Sequence, residues 1–146
     1  MCEPFYKFPV IIYPAQAEKA MAKALYEAEG DLNPLERQMV ESLAALPNIL
    51  WWHRNPTTPR VGFRLNGFIN HYPDIIAYTA RGHLLLIETK GEHLNNPDSQ
   101  QKLRLGRYWK EKAGKDFHYY MVFEHFRPQE DDAYKMDDFL RKAEGL

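Results

Sequence analysis

The chain has 146 residues, of which 45% are hydrophobic and 27% charged, so it can form one packed domain and is not expected to be disordered. A formal net charge of −1 excludes a strongly basic protein that coats nucleic acid, although one basic face remains compatible with it. The single cysteine, Cys2, cannot form an internal disulfide, and no apolar run is long enough to cross a bilayer. We therefore expect one soluble, cytoplasmic domain over residues 1–146, with no signal peptide and no membrane contact.

The first third of the chain is predicted to contain one strand and two helices. Residues 3–13 are aromatic and β-branched but interrupted by prolines, which is typical of an edge strand. Residues 15–29 are rich in alanine and are followed by a glycine, a pattern that favours a helix. A second helix is predicted to begin after Asn33, a good N-cap, with Pro34 in its first position and Pro47 beyond its end.

The rest of the chain alternates between strands and helices. The predicted strands are 49–53, 60–65, 68–72, 74–79, 83–90 and 117–123, and the predicted helices are 98–113 and 133–144. This order predicts an α/β (α+β) fold in which a central mixed β-sheet is flanked by helices on both sides. Within the single domain we distinguish a lead-in strand and helix over 1–32, a core over 33–125 and a C-terminal helix over 126–146.

The most informative feature is a predicted hairpin made of strands 74–79 and 83–90. If residues 80–82 form a three-residue loop, Asp74 lies directly opposite Glu88, and opposed side chains have Cβ atoms about 4.5–5.5 Å apart on one face. Lys90 shares that face with Glu88 because side chains alternate along a strand. The pattern therefore predicts two carboxylates and one ammonium group at the same end of the hairpin.

Opposed like charges destabilise a sheet, and a divalent cation would resolve the conflict. Mg²⁺ is typically held by one or two carboxylates together with water and substrate phosphate. The alternative is that Lys90 only neutralises the carboxylates in a solvated salt bridge, worth about 0–1 kcal/mol. Spacing alone does not choose between these interpretations.

The order of the motif residues resembles the PD-(D/E)XK nuclease superfamily. Pro73-Asp74 is followed, after a gap, by Glu88-Thr89-Lys90, with a helix before and a helix after the hairpin. Further segments are similar to the C-terminal endonuclease domain of the Res subunits of type III restriction enzymes. These segments are Trp52-His53-Arg54-Asn55-Pro56, Tyr72-Pro73-Asp74, Glu88-Thr89-Lys90-Gly91, and Asp98-Ser99 with Lys102, Gly106 and Trp109.

This resemblance, which covers roughly residues 33–125, implies a restriction-endonuclease-like core and a set of site residues. Asp74 and Glu88 would be metal ligands together with the backbone carbonyl of Thr89, and Lys90 would be the catalytic lysine. The cofactor would be Mg²⁺, with Mn²⁺ as a substitute. Glu36 lies where many members carry a further acidic residue, although Asn33 to Glu36 also spells a capping box.

Four further residues are candidates for binding the substrate. Lys102, or Gln101 beside it, lies where the superfamily often carries a polar residue on the helix after the motif. Arg54 and Asn55 could contact the phosphate backbone, or Asn55 could only open the turn that follows. Residues 98–115 carry six basic and two acidic side chains, a surface that suits phosphate but is also typical of a solvated helix face.

The six histidines match no zinc-binding pattern, although His71 and His93 could lie near the carboxylate end of the hairpin and influence it. No nucleotide-binding motif such as GxxxxGK[ST] occurs. If the resemblance holds, an ATP-dependent helicase or translocase domain and a methyltransferase specificity subunit would be separate partners. DNA would be the substrate, and cleavage of both strands would favour a homodimer.

The favoured expectation is thus a Mg²⁺-dependent endodeoxyribonuclease, the cleavage module of a type III restriction-modification system. One alternative is a weak or inactive nuclease fold that docks onto a helicase or methyltransferase partner. Another is a nuclease for RNA or structured DNA, because the same metal chemistry cleaves all of these substrates.

Overall fold

The computed structural model describes residues 18–19, 21–25, 28–29, 31–58, 60–91 and 97–146. The predicted strand over 3–13, Cys2 and His93 lie outside these residues. In chain order, the strands are β1 (Glu18–Lys19), β2 (Ala28–Glu29), β3 (Ile49–Arg54), β4 (Leu65–Asn66), β5 (Asn70–His71), β6 (Ile75–Thr79), β7 (Leu84–Lys90), β8 (Phe117–Phe123) and β9 (Ala133–Lys135). The helices are α1 (Pro34–Ala44), α2 (Pro97–Ala113) and α3 (Met136–Glu144).

A mixed sheet of five strands, in the order β3-β6-β7-β8-β9, forms the centre of the described fold. The pairs β3–β6 and β6–β7 are antiparallel, whereas β7–β8 and β8–β9 are parallel. Two short antiparallel pairs, β1–β2 and β4–β5, lie outside this sheet. The predicted α/β fold, with a central mixed sheet and flanking helices, is confirmed.

Each face of the sheet packs against its own helices. On one face, α1 and α3 cover a core that includes Met39, Val40, Leu43, Ile75, Ala77, Leu85, Ile87, Tyr120 and Phe139. On the other face, α2 and the β4–β5 pair pack against the sheet. The core on this side includes Ile76, Leu86, Leu103, Trp109, Tyr119, Met121 and Phe123. Full burial of such a side chain contributes about 1.5–3 kcal/mol, so these two layers stabilise the sheet and its packing against the helices.

The β6–β7 hairpin has the predicted register. Ile75 pairs with Ile87 and Tyr78 with Leu84, and the same register extended by one residue sets Asp74 opposite Glu88. The turn uses Gly82 with a φ of +89°, a left-handed conformation that favours glycine. Local turn chemistry thus aligns the two carboxylates.

Four predicted elements differ from the structure. The prediction of a helix over 15–29 is wrong for the part of this segment that the structure describes. There β1 pairs with β2, and Ala24 forms a β-bridge with Trp52 of β3. The backbone N–H of Trp52 donates to the Lys23 carbonyl (3.0 Å), so this segment covers a strand edge instead of forming a helix. The predicted strands over 60–65 and 68–72 are reduced to Leu65–Asn66 and Asn70–His71, and the last helix begins at Met136 because Ala133–Lys135 joins the sheet.

Among the described residues, no helix combines the length and the apolar character needed to cross a membrane.

Candidate active site

Asp74 lies just before β6, where hydrogen bonds fix both its backbone and its side chain. Its backbone carbonyl accepts from the N–H of Asn55 (2.9 Å). Its carboxylate Oδ2 accepts from the backbone N–H of Thr89 (2.9 Å) and from the Thr89 hydroxyl (3.0 Å). Asp74 is therefore tied to the end of β7, the strand that carries Glu88 and Lys90.

Glu88 is the most perturbed carboxyl group of this region. It is only 5% exposed, and its Oε1 is buried without a hydrogen-bond partner among the described residues. Burial, and then the charge of Asp74, raise the pKa of Glu88 from 4.5 to about 8. The charges of Lys102 and Lys90 lower the pKa of Glu88, but they do not cancel the increase. A carboxyl group in this state binds a proton at neutral pH and has one oxygen available for another ligand.

Two lysines converge on Glu88 from different elements. Lys102 Nζ, from α2, lies 3.2 Å from Glu88 Oε2, and Lys90 Nζ lies 3.9 Å from the same oxygen. Asp98 Oδ2 also contacts both ammonium groups, at 3.2 Å from Lys102 and 3.7 Å from Lys90. Burial lowers the pKa of Lys102, but the charge of Glu88, the hydrogen bonds to Asp98 and Glu88 and the charge of Asp98 together outweigh burial, so the pKa is raised overall. Both lysine side chains thus face the carboxyl groups.

Glu36 caps α1 and also lies beside Asp74, whereas its catalytic role stays a prediction. It completes the capping box: its backbone N–H donates to Asn33 Oδ1 (2.8 Å), and its Oε1 accepts from the Asn33 N–H (2.9 Å). Glu36 is also close enough to Asp74 for the two groups to affect each other. Burial raises the pKa of Glu36, the Asn33 backbone bond opposes this, and the charge of Asp74 adds to the increase. The start of α1 therefore places a third carboxyl group beside Asp74.

Arg54, on β3, contacts both Glu36 and Asp74. Its Nη2 lies 3.6 Å from Glu36 Oε2, and its Nη1 donates to the Asp74 carbonyl (2.8 Å) and lies 3.8 Å from Asp74 Oδ1. The guanidinium is therefore already engaged with protein groups. Its predicted contact with substrate phosphate stays a prediction.

Asn55 has a structural role. Its side chain is buried, its Nδ2 donates to the carbonyls of Phe63 and Pro73 (both 2.8 Å), and its Oδ1 accepts from the Phe63 N–H (2.7 Å). These bonds use both amide hydrogens, and the predicted contact with substrate stays a prediction. Asn55 fixes the backbone at Pro73, the residue just before Asp74.

The structure distinguishes between the two candidates on α2. Lys102 lies on the side of the helix that also carries Gly106 and Trp109, both buried against the sheet, and it reaches Glu88. Gln101 is exposed and points away from this side. Thr89 contributes its N–H and hydroxyl to Asp74, whereas its carbonyl as a metal ligand stays a prediction.

The sequence did not reveal that Tyr119 lies at the site, that Asp98 contacts both lysines, or that His71 is buried. His71 Nε2 lies 2.8 Å from Tyr119 Oη and 4.0 Å from Glu88 Oε1. Burial, followed by the charges of Lys102 and Lys90, lowers the pKa of His71 to about 3, so the ring is neutral at ordinary pH. Alternation along β8 puts Tyr119 on the Glu88 face, a signal that the sequence contains but that needs the β7–β8 register to be read.

The donor groups fit a hard divalent cation. Mg²⁺ prefers oxygen ligands and is typically held by one or two carboxylates. Asp74 and Glu88 are two adjacent carboxyl groups, and Oε1 of Glu88 is buried without a hydrogen-bond partner among the described residues. Within the described ranges, no three His, Cys, Asp or Glu side chains are grouped closely enough to hold an ion by themselves. Water and substrate oxygens would therefore complete the coordination of an ion held by Asp74 and Glu88.

Comparison with known proteins identifies no relative, since no protein-family model, curated protein or solved structure matches the chain significantly. The likeness to restriction-type nucleases therefore rests on the motif residues of this sequence alone.

Proposed function

We propose that this chain is a Mg²⁺-dependent nuclease domain that hydrolyses phosphodiester bonds in DNA. The observation that carries the proposal is the pairing of Asp74 with a buried, partly unsatisfied Glu88 beneath two lysines. A structural salt bridge would not need a carboxyl group whose pKa is raised to about 8. Strongly perturbed groups of this kind cluster at functional sites.

Each residue of the cluster has a role in this chemistry. Bound Mg²⁺ would polarise a phosphoryl oxygen and lower the pKa of a bound water. Asp74, which Thr89 holds in place, and Glu88 would hold the ion, and Glu88 would release its proton to solvent on binding it. Lys90 and Lys102, whose amino groups lie close to Glu88, would stabilise negative charge that develops on a phosphate bound there.

The likeness to the Res subunits supports a role as the cleavage module of a type III restriction-modification system. In that role the chain works with an ATP-dependent translocase and a methyltransferase, which supply movement along DNA and sequence recognition. Cleavage of both strands then requires two copies of the site, which supports a homodimer on the substrate.

Plasmid nicking with Mg²⁺ or Mn²⁺ tests the proposal. We expect Asp74→Asn and Lys90→Met to lower the rate about a hundredfold or more, because the first removes a metal ligand and the second removes a positive charge that would stabilise the phosphate. Lys142→Ala removes an exposed lysine on α3 and should leave the rate unchanged. Equal activity in wild type, Asp74→Asn and Lys90→Met would contradict the proposal. An inactive wild type that binds no Mg²⁺ in calorimetry would favour a non-catalytic docking module.

A further inference from the structure

Two aromatic side chains face the same groove on the outer side of α2. Phe68, in the β4–β5 turn, is 54% exposed, and Tyr108, on α2, is 48% exposed. Together with Arg104, Arg107 and Glu111 they line a groove of about 490 Å³, which we call the aromatic groove. Single exposed apolar residues are ordinary on protein surfaces, but two rings across one groove form a surface that can bind a ligand.

Cations accompany both rings. The Arg104 guanidinium lies 5.2 Å from the centre of the Phe68 ring, and Lys112 Nζ lies 5.6 Å from the centre of the Tyr108 ring. Exposed rings beside cations are the combination that binds single-stranded nucleic acid, because bases stack on the rings while cations face the phosphates. A duplex keeps its bases stacked inside and offers no free base face to such rings.

The aromatic groove is linked to the candidate active site by two elements. The β4–β5 pair carries Phe68 at its turn and His71 at its base, where His71 lies 4.0 Å from Glu88. Helix α2 carries Arg104 two residues after Lys102, which contacts Glu88 directly. A nucleic-acid strand seated in the aromatic groove is therefore held by the same elements that build the site.

We propose that the aromatic groove binds unpaired bases of a single DNA strand, stacked on Phe68 and Tyr108. The choice of DNA rests on the function proposed above, whereas the choice of a single strand rests on the exposed rings and their cations. The groove thus directs the nuclease toward DNA that is locally single-stranded.

Fluorescence anisotropy with the full chain tests this, using a labelled oligothymidine strand in the presence of EDTA so that no cleavage occurs. We expect Phe68→Ala and Tyr108→Ala each to weaken binding about tenfold, since stacking of a base on an aromatic ring contributes this much. An abasic strand of equal length should bind weakly to wild type and equally weakly to both variants. Tyr108→Phe keeps the ring and should bind like wild type.

Phe126→Ala is the matched control, because Phe126 is 42% exposed but lies outside the aromatic groove. Unchanged binding in both alanine variants, or equal affinity for the abasic strand, would overturn the proposal. Tighter binding of a duplex or of oligouridine would also overturn the choice of single-stranded DNA. Because binding is measured without cleavage, a chain that needs both rings for binding but whose nicking is unchanged in Asp74→Asn and Lys90→Met would contradict the nuclease proposal and support this one.

Discussion

At the scale of single residues, Glu88 shows how a site can reduce the stability of the fold that holds it. The folded chain keeps a proton on Glu88 up to a pH of about 8, whereas the unfolded chain loses it near 4.5. Between these values the folded state binds more protons than the unfolded state, so the free energy of unfolding falls as pH rises through this window. The effect is of the order of a few kcal/mol when fully developed.

Glu88→Gln is therefore expected to stabilise the metal-free protein at alkaline pH. The amide has nearly the same shape and carries no charge that burial would penalise, so the melting temperature should exceed that of wild type above a pH of about 8. The difference should disappear as pH falls toward 4.5, where the wild-type carboxyl is neutral as well. Thermal melts in EDTA across this range measure it. A variant less stable than wild type at alkaline pH would mean that the lysines stabilise Glu88 more than burial destabilises it.

Asn55 provides a second test at this scale, because its two interpretations predict different outcomes. Asn55→Ala leaves three buried backbone groups of Phe63 and Pro73 without their partner, so stability should fall by about 1–3 kcal/mol or more. Urea unfolding measures the loss, and Asn70→Ala, at an exposed asparagine of β5, serves as the control. Unchanged stability combined with weaker DNA binding would instead support the contact with substrate that the sequence suggested.

At the scale of elements, the accuracy of prediction depends on how local the controlling contacts are. The α1 capping box and the β6–β7 turn involve residues three or four apart, and both have the predicted form. Residues 15–29 have high intrinsic helix propensity, but the described part pairs with the edge of β3 instead. That pairing joins residues more than twenty positions apart, and tertiary contacts of this kind override propensity.

The packing of α2 depends on Gly106. An added Cβ at this position would lie 2.3 Å from two carbons of the Tyr119 ring, so the helix would have to move away from the sheet. Gly106→Ala should therefore destabilise the protein by about 1–2 kcal/mol, because overpacking outweighs the gain in helix propensity.

The same substitution should also lower nuclease activity, since Lys102 lies one turn earlier on α2 and would move away from Glu88. Chemical denaturation and plasmid nicking measure the two effects. Gln101→Ala, at an exposed position on the same helix, should change neither stability nor nicking. A loss of activity in Gln101→Ala would restore the predicted role of Gln101 in substrate binding, and an unaffected Gly106→Ala would show that the helix can shift without cost.

At the scale of the whole molecule, charge is arranged by contacts that the sequence alone does not specify. The acidic stretch after β8 folds back onto α2: Glu130 Oε2 lies 3.7 Å from Arg107 Nη2, and Asp132 Oδ1 lies 2.9 Å from Lys110 Nζ. These pairs neutralise part of the helix that was expected to face phosphate. Of the basic residues of α2, Lys102 faces Glu88, and Arg104 and Lys112 lie beside the rings of the aromatic groove, an arrangement that the count of basic residues could not show.

The range of each contact along the chain explains which parts of the site could be predicted from the sequence. Alternation and turn chemistry bring Asp74, Glu88 and Lys90 together, and helical periodicity adds Lys102. The contact of Asp98 with Lys102 is local to α2, but those of His71 with Tyr119 and of Asp98 with Lys90 depend on how closely the β4–β5 pair and α2 pack on the sheet. Packing distances result from the fit of many side chains at once, so no short segment of sequence encodes them.

Binding of Mg²⁺ should couple the site to the stability of the whole fold. An ion that binds only the folded chain raises its free energy of unfolding by about 2.7 kcal/mol when present at roughly 100 times its Kd. Because Glu88 must lose its proton to become a ligand, the affinity for Mg²⁺ should fall about tenfold for each pH unit below its pKa of about 8. The increase in melting temperature caused by a fixed Mg²⁺ concentration should therefore grow with pH and level off above about 8.

Thermal melts with Mg²⁺ and with EDTA, repeated across this pH range, give the dependence directly. Asp74→Asn should abolish the Mg²⁺-induced increase at every pH, because only one carboxylate then remains on the shared face of the hairpin. An increase that does not depend on pH would place the ion away from Glu88, at a carboxylate with an ordinary pKa. An increase that survives in Asp74→Asn would separate metal binding from the β6–β7 hairpin, and with it the physical basis for assigning nuclease chemistry to this fold.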